Sequence, residues 1–382
     1  MNKLKIAVIV LFTMAFTFVM TLVGLGFALN LTGAKIDDIA RFVGVLRLIE
    51  SKYVTDVDST ALMDGAITGM VKSLNDPHSI YLEPKMYSLL TERTAGSFGG
   101  IGVYMGFKDN KVSVLSVMDE SPAARAGILA NDEITAVDGV AVATIQPEEV
   151  AMHIRGAIGT DVTLTIHREG ENDRDYTIKR DTIQVKTVLG KMMDNGQGYI
   201  RIATFSENTA KEFRSAYDKL KQEGLKGLII DLRQNPGGLV DSGVEIANQI
   251  VPEGPIVSVV DKDGDKEEYV SKLTEPTCPL VVLIDGNSAS TTEILAGALK
   301  DRHAATLVGT KSFGKGSVQM VVPMFHDDAV KLTIAKYYTP SGTSIDGVGI
   351  EPDVKVELTP DLTQDVQLDK AKEVLAGKIG GI

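Results

Sequence analysis

A serine hydroxyl becomes a nucleophile when a base stands within hydrogen-bond reach and preorganised N–H groups stand beside it. Ser290 has part of that setting. It follows a continuous apolar run at 279–284 and the turn Asp285-Gly286-Asn287-Ser288-Ala289, and from Thr291 to Leu299 apolar residues recur at helical spacing. The residue therefore falls between the carboxyl end of a strand and the N-terminus of a helix, where backbone N–H groups lack helical partners. The segment departs from the hydrolase elbow G-x-S-x-G, because aligning Gly286 and Ser288 puts Ser290 at the second glycine. On these residues alone, Ser288 and Ser290 read equally well as caps of the helix.

None of the five histidines stands in a catalytic context: His303 falls among charges after the helix, and His78 and His326 lie in polar turns. A better base is Lys315, set in Ser312-Phe313-Gly314-Lys315-Gly316-Ser317, where flanking glycines allow close backbone approach. A lysine accepts a proton only when neutral. Bringing its pKa from near 10.4 to about 7–8 requires about 4 kcal/mol of ammonium destabilisation, which burial in a closed site supplies. If 315–319 is extended, Lys315, Ser317 and Gln319 share one face and the Gln319 amide can orient the amine. Taken alone, Lys315 also reads as a surface loop lysine. Residues 309–315 fit G-x-x-x-x-G-K after a strand, but Gly316 replaces the magnesium-binding Ser or Thr, and 318–323 reads as a strand where a phosphate loop needs a helix. Ser312 and Lys315 fit S-x-x-K, without the companion S-D-N and K-T-G motifs.

These residues need a scaffold, and residues 185–356 alternate strands with helices. Thr209 with Glu212 has capping-box spacing, Phe213, Tyr217 and Leu220 mark one apolar face, and Gly224 stops that helix. Runs at 228–232, 279–284 and 306–308 are continuous rather than alternating, the mark of parallel strands covered on both faces. Chemistry in such a sheet is expected at the carboxyl ends of the strands. The preceding region, from Gly96 to about Arg180, has short β-rich runs (112–117, 162–167), glycine turns and brief helices near Ala123 and Glu148. Residues 35–90 read as helical, and one more helix is expected at 366–375.

The composition excludes several classes. The chain has 382 residues, 44% of them hydrophobic, and a net charge of −12, the wrong sign for tracking phosphate backbones, so nucleic acid is not expected as a partner. One cysteine and five unpaired histidines predict neither a disulfide nor a metal, and no cofactor is expected. Residues 6–29 carry no charge and follow Lys3 and Lys5. At 1.5 Å per residue this run reaches about 36 Å, against a bilayer core of about 30 Å, so a single-pass anchor in the cell membrane with the catalytic part outside the cytoplasm is expected; the competing reading is a cleaved signal sequence with Gly26 and Ala28 at its cleavage site.

Six blocks in order give the chain a resemblance to the C-terminal processing peptidases, or tail-specific proteases, serine peptidases of the S41 type: Asp76-Pro77-His78-Ser79 with Tyr81-Leu82; Phe98-Gly99-Gly100-Ile101-Gly102; Ser121-Pro122-Ala123 with Ala126-Gly127; Asp231-Leu232-Arg233 with Asn235-Pro236-Gly237-Gly238; Ser288-Ala289-Ser290; and residues 309–316. The usual S-A-S-A-S-E reads Ser288-Ala289-Ser290-Thr291-Thr292-Glu293 here. The resemblance implies an α/β multidomain chain: a transmembrane anchor or signal sequence (1–30), a helical N-terminal region (31–92), a PDZ-like β-rich domain (93–183), a crotonase- and ClpP-like α/β serine protease core (184–358) and a C-terminal helical tail (359–382). It implies Ser290 as nucleophile, Lys315 as general base and Gln319 as the group positioning the lysine. The oxyanion would then take the Thr291 N–H and a glycine N–H of the Gly237-Gly238 turn, assigned to Gly238. Phe98, Gly99, Gly100, Ile101 and Gly102 would form the loop that receives a peptide carboxylate in an anion nest, and Arg155, ending a helix at 147–154 with Gly156 as its cap, would line the peptide groove. Protein or peptide substrates with apolar C-termini are the implied partners, with a homo-oligomer as the working form. The rival functions are an inactive PDZ scaffold or substrate-binding protein, and acyl chemistry on a thioester cofactor by fold analogy.

Overall fold

The computed structural model describes residues 35–108, 111–274, 277–358 and 364–380. The apolar run at 6–29 lies outside the described residues, and among those described no helix is long and apolar enough to cross a membrane. The chain divides into two compact units, Met1–Tyr81 and Leu82–Ile382. In the first, helices Ile36–Lys52 and Ser59–Lys72 occupy the segments whose apolar residues recur at helical spacing. Asp58 caps the second by accepting from the Thr60 N–H at 2.8 Å. Ile36, Phe42, Val45 and Leu48 of the first helix are exposed.

The second unit is built on a six-stranded sheet in the order Val188–Met192, Gln197–Ile202, Gly227–Asp231, Leu280–Ile284, Ala305–Gly309 and Val354–Lys355. The first pair is antiparallel and the rest are parallel. The continuous apolar runs have a simple cause, since alternate residues feed different cores. Leu228, Ile230, Val282, Ile284 and Leu307 pack with helices Thr209–Gln222, Val240–Ile250 and Thr291–Asp301, while Ile229, Val281, Leu283 and Val308 pack with Ala371 and Leu375 of helix Val366–Gly380. The last helix, expected at 366–375, runs on to Gly380 and is the cover of the second face. Each such buried aliphatic side chain contributes about 1.5–3 kcal/mol, which is why an apolar sheet face recruits it.

One capping expectation fails. Asn208 is the N-cap of helix Thr209–Gln222, and Glu212 turns away from the helix end to accept from the Thr187 N–H (2.8 Å), the Thr187 hydroxyl (2.9 Å) and the Val188 N–H (3.0 Å). The unpaired donors at the start of an edge strand outcompete the helix terminus for the carboxylate. The apolar face is as expected, with Phe213, Tyr217 and Leu220 buried, and Gly224 leaves the helix at φ 90°.

Arg233 ties the sheet to its cover. Its guanidinium donates to buried Asp231 (Nε 3.0 Å, Nη2 2.7 Å) and to both oxygens of Asp365 (2.8 Å each) at the entrance to helix Val366–Gly380. Arg233 holds the Asp365 carboxyl below its usual value against the opposing effect of burial. A depressed folded-state pKa adds stability above the unfolded value and loses it as pH falls through the folded one. Wild-type melting temperature should therefore fall more steeply below about pH 4 than that of Asp365→Asn, whose side chain cannot titrate, in thermal scans across that range.

A second, antiparallel sheet runs Ser317–Pro323, Ala329–Tyr338, Gly254–Asp261, Lys266–Ser271. The β-rich region is an antiparallel sheet whose path runs Val103–Lys108, Lys111–Val117, Glu133–Val137, Asp161–His167 and Arg174–Lys179, with Val140–Ala141 pairing Glu133–Val137 off that path, helices Pro122–Ala126 and Pro147–Ile154, and its own core around Val114, Val150, Val162 and Leu164. Among the described residues its first strand, Val103–Lys108, pairs on one side only, and it carries exposed Tyr104 and Phe107. The expected glycine loop needs correcting: Phe98, Gly99 and Gly100 belong to strand Ser97–Gly100, paired with Asp181–Gln184, and only Ile101 and Gly102 lie in the turn before Val103. Gly99 is required by close approach, since a Cβ there would sit 2.0 Å from the Gly156 carbonyl oxygen.

Candidate active site

The turn carrying Ser290 is fixed from behind. The fully buried Ser288 hydroxyl donates to the Leu232 carbonyl and accepts from the Asp285 N–H, both at 2.9 Å, so Ser288 braces the turn and does not cap the helix. Asn235 adds a second brace: its carbonyl accepts from the Ala289 N–H and from the Thr292 hydroxyl, each at 3.0 Å. Held this way, Ser290 takes φ 59°, ψ −121°, a conformation that favours glycine, and its side chain faces a cavity of about 600 Å³.

Lys315 and Gln319 line the same cavity, with Ser317 between them and Gly237, Gly238 and Tyr337 around them. The loop carrying Lys315 is pinched at its glycines. A Cβ on Gly314 would lie 3.0 Å from the Gly349 nitrogen and one on Gly316 2.5 Å from the Asp346 nitrogen, the close approach read from the flanking glycines. Residues 317–323 are a strand, as the rejection of a phosphate loop requires. A register shift after Val318 sets Gln319 opposite Thr333, and Val318 and Gln319 both line the cavity. The Gln319 amide donates to the Ser317 hydroxyl at 2.8 Å and to the Thr333 hydroxyl at 3.4 Å.

Gly238 and Thr291 adjoin Ser290. The Thr291 hydroxyl donates to the Gly238 carbonyl at 2.8 Å, and among the described residues neither the Gly238 nor the Thr291 N–H has an acceptor. The Gly237 N–H, in contrast, is taken by the Asn235 side chain at 2.9 Å. Two helices, Val240–Ile250 and Thr291–Asp301, start at this point, and their N-terminal dipole ends favour negative charge there.

Arg155 is placed differently from the expectation. It is itself the C-cap of helix Pro147–Ile154, in extended conformation, because buried Arg180 satisfies the last carbonyls, donating to Ile154 at 2.8 Å and His153 at 3.0 Å. No left-handed glycine is needed at 156. The Arg155 guanidinium lies 4.0 Å above the Phe98 ring and 3.6 Å from Glu92, on helix Pro84–Ala95. Tyr87, Leu90, Thr91 and Thr94 of that helix line the Ser290 cavity. Ile101 and Gly102 are buried, and among the described residues their N–H groups have no acceptor.

Two site residues escaped the sequence. Glu293 is fully buried beneath Ser290 and Lys315, and Tyr337, 1% exposed, donates its hydroxyl to the Lys315 carbonyl and touches Ser290. Burial, then the Glu293 charge, pushes the Tyr337 hydroxyl well above its ordinary pKa against the contact with Ser290, which keeps it a donor. Glu293 had a signal in its spacing three residues after a helix N-cap. Tyr337 had none, since it comes from a distant strand. Among the described residues no cluster of three or more His, Cys, Asp or Glu is arranged to hold a metal.

The profile of peptidase family S41 matches residues 196–356, that of the PDZ domain residues 99–179, and that of the activating protease CtpB N-terminal domain residues 28–86. The chain is 40% identical to the carboxy-terminal-processing protease of Bartonella bacilliformis over 352 residues, covering 90% of this chain and 81% of that one. It is 41% identical to carboxy-terminal processing protease CtpA of Bacillus subtilis over 337 residues, 87% of this chain and 72% of the other. Among solved structures, the photosystem II D1 C-terminal processing protease aligns with a TM-score of 0.50 and 30% identity, covering 87% of this chain and 96% of that one. With that identity extending across the β-rich domain and the sheet that carries Ser290, the chain belongs to the carboxy-terminal processing proteases, serine peptidases of family S41 with a PDZ domain.

Proposed function

We propose that this peptidase cuts with a Ser290/Lys315 dyad, acts outside the cytoplasm, and selects proteins by their C-terminal tails. The observation that carries the reading is the convergence of Ser290, Lys315, Gln319 and Gly238 on one cavity, with the Gly238 and Thr291 N–H groups without acceptors among the described residues beside Ser290. Neutral Lys315 takes the Ser290 proton as the oxygen attacks a peptide carbonyl. The two N–H groups receive the oxyanion, and the lysine protonates the leaving amine before water hydrolyses the acyl-enzyme. Gln319, anchored through its NH₂ group, retains a carbonyl oxygen to orient the amine.

Tail recognition is supported by the one-sided strand Val103–Lys108, which offers an edge for an added peptide strand, and by the Ile101 and Gly102 N–H groups before it, suited to a carboxylate. Arg155 contacts Phe98 and Glu92, the latter on the helix lining the catalytic cavity, and these contacts support a role in reporting peptide binding. The uncharged run at 6–29 behind Lys3 and Lys5 would tether the enzyme to the membrane, and the exposed apolar residues of helix Ile36–Lys52 would be covered in a homo-oligomer.

The test compares one unstructured substrate with an apolar C-terminus and its amidated form. Wild type should cleave the free-acid form faster, and Arg155→Ala should cleave it about tenfold more slowly with little change in melting temperature. Equal cleavage of both forms by wild type would remove tail recognition from the proposal.

A further inference from the structure

The carboxylate of Glu293 touches the backbone of both Ser290 and Lys315. Its Oε2 accepts from the Ser290 N–H and the Lys315 N–H, each at 2.9 Å. Its Oε1 accepts from the Ser312 hydroxyl at 2.6 Å and the Gly314 N–H at 2.7 Å. A carboxylate offers about four acceptor sites, and four donors fill them. Burying such a group is costly unless every site is satisfied, and the donors come from two chain segments about twenty residues apart, so the pairing joins those segments at one point. Two nitrogens bonded to the same oxygen at this distance lie within about 6 Å of one another. A second tie comes from Tyr337, whose hydroxyl meets the Lys315 carbonyl and the Ser290 side chain.

We propose that Glu293 is a positioning residue of the reaction: by gathering the Ser290 and Lys315 N–H groups on one buried oxygen it sets the spacing between hydroxyl and amine, with Tyr337 as the second tie. This rests on the Ser290/Lys315 reading. Glu293 reaches neither substrate nor the transferred proton; it acts through the two residues that do. In Glu293→Gln the shape is kept, but an amide NH₂ must face N–H or O–H donors, so the segments separate while the cavity wall remains. Misplacement of the reacting pair by an ångström costs rate and spares binding.

The experiment measures kcat and KM on one unstructured protein substrate for Glu293→Gln, Glu293→Asp and Tyr337→Phe, beside Ser290→Ala and Lys315→Ala, with melting curves for each. Glu293→Gln is expected to lose about 100-fold in kcat with KM within about threefold. Tyr337→Phe is expected to lose about tenfold in kcat, and Glu293→Asp to recover part of the activity lost in the Gln variant. Residual cleavage in Ser290→Ala or Lys315→Ala at wild-type rate overturns the dyad and this inference together. Loss of activity in those two with unchanged kcat in a folded Glu293→Gln overturns the inference alone. Should Glu293→Gln fail to fold, Tyr337→Phe decides, and unchanged kcat there overturns it.

Discussion

Ser290→Ala and Lys315→Ala are each expected to lower turnover by roughly 10⁴-fold or more, and the double variant by no more than either alone, because in the proposed dyad attack and proton removal form one step. The losses should leave melting curves close to wild type, since Ser290 keeps its backbone and Lys315 ends in the cavity. In wild type the rate should rise with pH as the lysine loses its proton, which fixes the sign of the profile. Gln319→Ala should impair turnover without abolishing it, because Lys315, the proposed base, is still present. Steady-state cleavage of an unstructured protein, with labelling by a serine-directed acylating probe, measures all four. Full activity in Lys315→Ala would move the base to another residue.

Gly238→Ala carries the second large effect. The residue sits at φ 150°, and a Cβ there would lie 2.0 Å from the Phe205 carbonyl oxygen, a backbone atom that cannot swing aside. The chain must shift, and the Gly238 N–H shifts with it. Removing one oxyanion donor typically costs about 10²–10³ in kcat, so a loss of that order is expected, together with a lower melting temperature from the strained contact. Gly286→Ala is the control: it lies in the turn before Ser290, but its nearest neighbour, the Lys311 carbonyl oxygen, would be 3.9 Å away, an ordinary contact. Its activity and stability should stay near wild type. Equal loss in both variants would assign the effect to general disturbance of the turn.

What the sequence exposes is the part of the structure set by periodicity. Runs such as 228–232 and 279–284 reveal buried parallel strands because alternate residues serve two different cores, and a covered sheet leaves no polar face to interrupt them. Helix Pro147–Ile154 is legible in its extent, though not in its cap, which Arg155 and the remote Arg180 supply. Polar partners are less visible. The spacing of Thr209 and Glu212 satisfies a capping box, yet Glu212 serves Thr187 and Val188, a choice made by tertiary proximity. Glycines at 99 and 100 permit a turn or a close strand contact with equal ease, and the contact with Gly156 that selects the strand is remote in sequence. At the site, Ser290 and Lys315 stand out as residue types, whereas Tyr337 becomes visible only when strand Ala329–Tyr338 is laid beside the loop it ties.

The left-handed backbone at Ser290 has a thermal consequence. A serine in that conformation stores about 1–3 kcal/mol, held in place by the hydrogen bonds of Asp285, Ser288, Asn235 and Glu293. Strain of this kind is released by whatever loosens its immediate supports, well before the two cores on either side of the sheet come apart. On warming, the peptidase should therefore fall silent while its circular dichroism still reads native, and the interval between the two temperatures measures how firmly one turn, rather than the whole fold, is held.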